Sequence, residues 1–349
     1  MTITEAIKKV VDRQDLSVDE AEAVLEQIMT GQCTDAQIGS LLTALRMKGE
    51  TVAELTGFAR VMRRKAAPVR PESAVAAEMG GTEREALIDT CGTGGDISGS
   101  FNVSTATAFV VAGAGVRVAK HGNRSVSSQC GSADVVEALG VKLEIPPERI
   151  GRCIDEVGIG FLYAPLLHEA MKHVAPARRQ MGIRTIFNMI GPLTNPARAN
   201  TQVIGVYDER LTEMLADVLR SLGSSRALVV HGSDGLDEIT ISGESRVTEL
   251  NNSEIRTYTV RPEDFGVARA QLSEIRGGDA GQNARIILGV LKGERGPRRD
   301  IVLLNAAAAL VASSKASDLA EGVKLAGEAI DSGSAMEKLR RLIEFTNCE

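Results

Sequence analysis

From Ile88 to Ala108 the chain reads IDTCGTGGDISGSFNVSTATA. Gly92, Gly94 and Gly95 crowd together, Asp96 follows, and a hydroxyl-rich stretch opens what reads as a helix. Glycines let backbone N–H groups approach oxygens, and a helix N-terminus favours anions, so phosphate is the natural guest. A carboxylate there repels a bare phosphate but not one met through a bridging metal; Asp96 then faces metal-bound water or orders the loop amides. Neither common phosphate motif is present. A dinucleotide fingerprint needs glycine where Ile97 stands, and a P-loop needs a lysine after the glycines. Taken alone, the segment reads more readily as a plain strand-to-helix turn.

Three further segments change that weighting. KHGNRSVSSQCGSAD (120–134) offers a cation, an imidazole, an amide, a guanidinium and several hydroxyls, the parts needed to hold a phosphorylated, polyoxygenated ligand. Its bland reading is a polar surface loop. HEAMKHVAPARRQMGIRTIFNMIGPLTNPA (168–197) carries Arg178 and Arg179, usually a solvated pair; His168 and His173 are too far apart for an i, i+4 zinc pair. HGSDGLDEITISGE (231–244) places Asp237 beside Glu238 after a strand. Hard carboxylates suit Mg²⁺ bridging to substrate phosphates, although an isolated pair of this kind is usually a surface turn. No Ser-His-Asp order or catalytic-cysteine signature supports acyl chemistry.

The elements that position these segments follow from periodicity. Four capping boxes (Thr2/Glu5, Ser17/Glu20, Thr34/Gln37, Thr51/Glu54) each precede apolar residues at helical spacing, so residues 1–67 read as a small all-α unit. A Pro/Ala/Glu/Gly stretch over 68–83 reads as a linker. From 84 to 349 strands alternate with helices: ALIDT, VRVAK, GFLYA, QVIGVYD and RALVVHG are strands, SADVVEALG is a helix, and Glu209 to Leu222 a long one. That order predicts an α/β domain with a mainly parallel central sheet flanked by helices. Short antiparallel strands are expected between Asp237 and Val260. The helical stretch within 168–190 interrupts the alternation and is expected to join the N-terminal unit in space. Asp89 and Lys120 fall at strand ends, where open α/β sheets bind ligands.

The 349 residues carry a net charge of -6, 3% aromatics and no tryptophan. That balance argues against nucleic acid and against an anionic membrane surface. Five cysteines without a CxxC pair suggest neither a disulfide framework nor a zinc site. No apolar run is long enough to span a bilayer, and the start lacks a signal-peptide pattern, so a reduced cytoplasmic protein is expected.

Together DTCGTGGD, FNVSTATA, KHGNRSVSS with GSAD, the Arg178 stretch running into GIRTIFNMIGPLTNP, and DGLDEIT resemble the anthranilate phosphoribosyltransferase family. They fall in the family order, and the resemblance covers essentially the whole chain. It implies a small helical domain on an α/β domain of the nucleoside phosphorylase type, usually a homodimer through the helical domain. The implied reaction joins anthranilate to 5-phosphoribosyl-1-diphosphate (PRPP), releases pyrophosphate, serves tryptophan biosynthesis and uses two Mg²⁺ ions. Carried over by motif, the PRPP pocket comprises Gly92, Gly95, Asp96, Ser100, Asn102, Val103, Ser104 and Thr105. The second loop adds Lys120, His121, Gly122, Asn123, Arg124, Ser125, Val126, Ser127, Ser128 and, from GSAD, Ser132. Gly92, His121, Asn123, His168, Arg178 and Pro192 match anthranilate positions. Ser104, Asp237 and Glu238 match metal ligands, and Arg178, Asn123 and Lys120 are the expected catalytic residues. A pyrimidine nucleoside phosphorylase and a non-catalytic nucleic-acid-binding paralogue are the rival readings. KHGNR and the acidic pair weigh against the first, and the acidic charge balance with the intact acidic pair against the second.

Overall fold

The computed structural model describes residues 1–73, 85–94, 99–125 and 129–348. Four helices open the chain: α1 (Ile3–Val11), α2 (Val18–Met29), α3 (Asp35–Lys48) and α4 (Val52–Lys65). Each starts at one of the expected capping boxes, with both reciprocal bonds formed. Their inward residues, among them Ala6, Val24, Leu25, Leu41, Leu45 and Phe58, are buried together.

After β1 (Leu87–Gly92) come α5 (Val103–Gly113), β2 (Arg117–Gly122), α6 (Ser132–Ala138), α7 (Pro147–Val157) and β3 (Ile159–Tyr163). Short pieces follow: α8 (Ala164–Leu167), a 3-10 turn at Glu169–His173, α9 (Ala175–Met181), α10 (Ile186–Ile190) and a 3-10 turn at Gly191–Thr194. The chain returns to the sheet with β4 (Thr201–Gly205), α11 (Leu211–Ser221) and β5 (Arg226–Gly232). The β6 (Ser245–Asn251) and β7 (Glu254–Val260) hairpin is next, then α12 (Ala280–Leu291), α13 (Pro297–Ala312), α14 (Leu319–Asp331) and α15 (Ser334–Asn347).

The seven strands run β3-β2-β1-β4-β5-β6-β7, parallel from β3 to β5 and antiparallel beyond. Asn252 and Ser253, both at positive φ, form the tight turn of the hairpin. Neighbouring residues of a strand serve opposite faces. Val203 and Leu228 pack with α5, α12, α13 and α14. Ile204 and Val229 pack with α11 and with the N-terminal helices. The helical unit thus covers part of one sheet face. Val174, Ala177, Ile186 and Phe187 lie in that same cluster.

Three expectations shift. QVIGVYD leaves the sheet after Gly205, and the expected long helix spans only Leu211–Ser221. The antiparallel strands start at Ser245, because residues 234–242 are tied into a turn by Asp234, which accepts from the Leu236 amide and from the hydroxyls of Thr240 and Ser242. The early part of the presumed linker is docked chain: Val69 is buried and donates its amide to the Pro196 carbonyl (3.2 Å), and Ser73 bonds Asp155.

Candidate active site at the carboxyl ends of the parallel strands

The strand order reverses between β1 and β4, and such a switch point opens a crevice at the carboxyl ends of the strands. Four elements meet there: the glycine loop after β1, the first turn of α5, the polar loop after β2, and the acidic turn after β5.

Glycines make the bed for the acidic turn. A Cβ on Gly92 would press on the Asp237 carboxylate, and one on Gly205 would overlap the Asp237 carbonyl. Gly94, at positive φ, donates its amide to Asp237 Oδ2 (3.1 Å). On its far side the turn is clasped by Asn305 of α13. Asn305 Oδ1 accepts from the Ile239 amide and its Nδ2 donates to the Ile239 carbonyl, both at 2.9 Å. Asp237 and Glu238 are thereby held between two fixed surfaces.

Lys120 is buried at the end of β2. Its Nζ donates to the Thr90 carbonyl (2.5 Å) and reaches Ser104 Oγ at 3.4 Å, so the cation and the α5 hydroxyl share one spot. Asp89, fully buried, accepts from the His121 amide (3.1 Å) and from Asn195 Nδ2 (2.8 Å). Burial pushes its pKa up to about 6 against the opposing pull of Lys120. His121 and His168 meet Nε2 to Nε2 at 3.2 Å. Burial holds His121 well below its ordinary pKa and takes His168 to about 4. Both imidazoles are therefore neutral at pH 7.

Arg178, on α9, lies over the Phe187 ring with 5.4 Å from Cζ to the ring centroid. Partial burial lowers its pKa, and among the described residues it has no carboxylate partner. Such a cation is placed to receive an anionic ligand. Arg124 is placed differently. It pairs with Asp134 and Glu137 and bonds the Tyr163 hydroxyl, so it braces the loop. Gly131 and Ser125 donate their amides to Asp134, which folds the loop back onto α6. Ser132 Oγ sits close against Gly122. Asn123 Oδ1 accepts from the Arg124 amide (2.7 Å). Ser100 bridges to Arg276, and Asn102 accepts from Asn283 Nδ2 (2.9 Å). Val103 packs in the core, and Thr105 is buried, its hydroxyl left without a hydrogen-bond partner among the described residues. Pro192 is buried, with its carbonyl bonded to Gln202. Gly95, Asp96, Val126, Ser127 and Ser128 lie outside the described residues.

Among the described residues no three His, Cys, Asp or Glu side chains gather into a self-sufficient cation cage. Two adjacent carboxylates instead suit Mg²⁺, which keeps waters and shares substrate phosphate oxygens. Sequence reasoning missed Asn195, Gly205, Asn283 and Asn305, and saw Asp89 only as a strand end. Asn305 had a readable signal, a lone amide inside VLLNAAAALVA, since buried polar groups need partners.

The model of the glycosyl transferase family α/β domain matches residues 84–336, and that of its helical bundle domain matches residues 4–66. An anthranilate phosphoribosyltransferase of Geobacter sp. is 57% identical over 99% of both chains. The crystal structure of the Thermus thermophilus anthranilate phosphoribosyltransferase is 44% identical at a TM-score of 0.91, covering 98% of this chain and 99% of its own. The Saccharomyces cerevisiae enzyme, solved in complex with PRPP and Mg, is 28% identical at a TM-score of 0.87, covering 99% of this chain and 97% of its own.

Proposed function

The chain belongs to the anthranilate phosphoribosyltransferase family, and from that premise we propose that it transfers the 5-phosphoribosyl group of PRPP to the amine of anthranilate. What supports the reading is that Lys120 reaches Ser104, and Asp237 is bedded on the glycines at and after the end of β1, both at the carboxyl ends of strands beside the switch point of the sheet. Anthranilate's nitrogen forms a bond to the anomeric carbon while the bond from that carbon to diphosphate breaks. The ribose gains oxocarbenium character, the diphosphate gains negative charge, and the amine gives up one proton.

Each residue's task follows from its environment. The Lys120 ammonium faces the diphosphate charge as it grows, and stabilising that charge is the largest lever on such a step. Arg178 pairs bidentately with the anthranilate carboxylate and sets the amine against the anomeric carbon. The aromatic amine is already neutral, so no strong base is needed. The neutral His121–His168 pair lets an aromatic ring approach without adding a competing cation. Asp237, Glu238 and Ser104 would hold Mg²⁺, two ions by our reading, and the metal supplies further charge neutralisation of the diphosphate. We also propose a homodimer formed through the helical unit, for which the exposed apolar side chains of Val11 on α1 and Met47 on α3 speak.

Loss of anthranilate fluorescence tests the reaction. Consumption is expected only when PRPP and Mg²⁺ are both present. Phosphorolysis of thymidine or uridine with no anthranilate consumption would instead make the protein a nucleoside phosphorylase.

A further inference from the structure

Strands β1 and β2 are neighbours, but they part before their ends. Their register holds at Leu87 with Arg117 and Ile88 with Val118 and goes no further. The outer ladders continue: β1 stays with β4 to Gly92, and β2 stays with β3 to Gly122. The sheet is split along one seam, between residues 89–92 and 119–122, beneath the loops that begin at Thr93 and Asn123. Buried backbone groups along a seam need other partners. Side chains supply them. Asp89 Oδ1 accepts from the His121 amide (3.1 Å), and Lys120 Nζ donates to the Thr90 carbonyl (2.5 Å). Asn195 Nδ2 donates to both the Ala119 carbonyl and Asp89 Oδ2, each at 2.8 Å. The Ala197 amide donates to Asn195 Oδ1 and fixes which way that amide points. Asp89, Lys120 and Asn195 are all buried.

We propose that Asp89 and Asn195 are positioning residues for the phosphoribosyl transfer: they wedge the seam open and fix the end of β2, and with it Lys120, His121 and Asn123, against the glycine loop. This inference rests on the functional reading above. The groups facing Asp89 are Lys120 and the His121 amide from β2, Asn195 from the turn before β4, and the Cys91 thiol of its own strand. A protonated Asp89 sets an O–H against a group that already donates, so one clasp bond is lost and Lys120 loses its counter-charge. With its pKa near 6, the clasp loosens over the range in which activity can still be measured.

The test compares wild type with Asp89→Asn from pH 5 to 8 by steady-state kinetics, and follows amide exchange in residues 117–125. The variant is expected to lose roughly 10- to 100-fold in kcat/KM at pH 8. Its deficit narrows below about pH 6, where the wild type has lost the same charge; titration of PRPP is common to both proteins and cancels. A deficit that stays constant with pH, or near-wild-type kcat/KM, overturns the proposal. If Asp89→Asn fails to fold, Asn195→Ala carries the test. Its acid limb moves to higher pH because the carboxylate has lost a donor that favoured ionisation, and an unmoved limb overturns the proposal. A wild type that consumes no anthranilate counts against the functional reading alone. The clasp is still read by exchange: a His121 amide that exchanges faster in either variant supports it, and an unchanged one overturns it.

Discussion

Arg178 is a partly buried guanidinium with an aromatic ring on one side and no acidic partner among the described residues. A charge kept in that setting is worth most when a ligand carboxylate arrives. Arg178→Ala is expected to raise the KM for anthranilate roughly 10- to 100-fold, the loss of about 1.5–3 kcal/mol of charge-assisted hydrogen bonding, and to leave the KM for PRPP near its wild-type value. A rise confined to PRPP would remove Arg178 from the anthranilate site. The buried histidines give a second residue-scale prediction. His168 has a folded pKa near 4, below its unfolded value, so between about pH 6.5 and 4 the unfolded chain binds a proton that the folded chain refuses. Its contribution to stability is therefore lost as pH falls through that window, by up to about 3 kcal/mol. Asp89 has the opposite sign: its raised pKa means that stability is lost as pH rises from its unfolded value towards 6. The two trends oppose each other. In His168→Gln the first is gone, and release of His121 from the neighbouring ring acts the same way. The urea stability of this variant relative to wild type is expected to improve steadily from pH 6.5 to 4.5. Parallel curves would show that His168 titrates normally.

At the scale of elements, much was legible. Capping chemistry is local, so Thr2, Ser17, Thr34 and Thr51 mark true helix starts. The alternation of strand and helix predicts the parallel sheet, and the two polar segments do begin at the ends of neighbouring parallel strands. What stayed hidden depends on distant partners. Asp89 reads as a strand residue until Asn195, 106 positions on, is brought beside it. The acidic turn reads as a surface turn until Asn305, 66 positions beyond Ile239, is seen holding it. Element ends also moved, because a strand stops where its ladder partner stops and β4 loses its partners after Gly205. Asn305 carries the prediction at this scale. Asn305→Ala leaves the Ile239 amide and carbonyl without their partner, at about 1–3 kcal/mol for each buried group. The expected result is a lower Tm together with a several-fold higher Mg²⁺ concentration for half-maximal activity, since Glu238 adjoins the freed residue. Asn305→Asp restores only the bond from the Ile239 amide and is expected to recover part of the Mg²⁺ dependence. A lower Tm with unchanged Mg²⁺ dependence in both variants would make Asn305 a purely structural residue.

At the scale of the whole molecule, the helical unit is tied to the sheet in two ways. One apolar cluster runs from Leu41 and Phe58 through Phe187 to Ile204 and Leu215. Arg63 of α4, largely buried, donates to the Leu193 carbonyl (2.7 Å) and reaches the Leu222 carbonyl (3.4 Å), which joins the helical unit to the turn before β4 and to the end of α11. The Arg178 segment packs in that same cluster, so the helical unit buries the apolar side of that segment as well as its own core. This explains why α1–α4 spend their inward faces on their own chain. Their outward faces are free to meet something else, and there Val11 and Met47 are 62% and 71% exposed. Single exposed apolar residues are common, so exposure alone decides nothing. What decides is whether removing them changes association. The wild type is expected to sediment as a dimer at micromolar concentration. Val11→Glu combined with Met47→Glu places a charge in each last helical turn, where an acid also opposes the helix dipole by about 0.3–1 kcal/mol. In a dimer buried through this face those charges lose water as well, and the species shifts towards monomer. In a monomer they stay solvated and only the small dipole cost remains. A dimer that persists in the double variant with an unchanged dissociation constant would move the interface elsewhere, and a monomeric wild type would remove it.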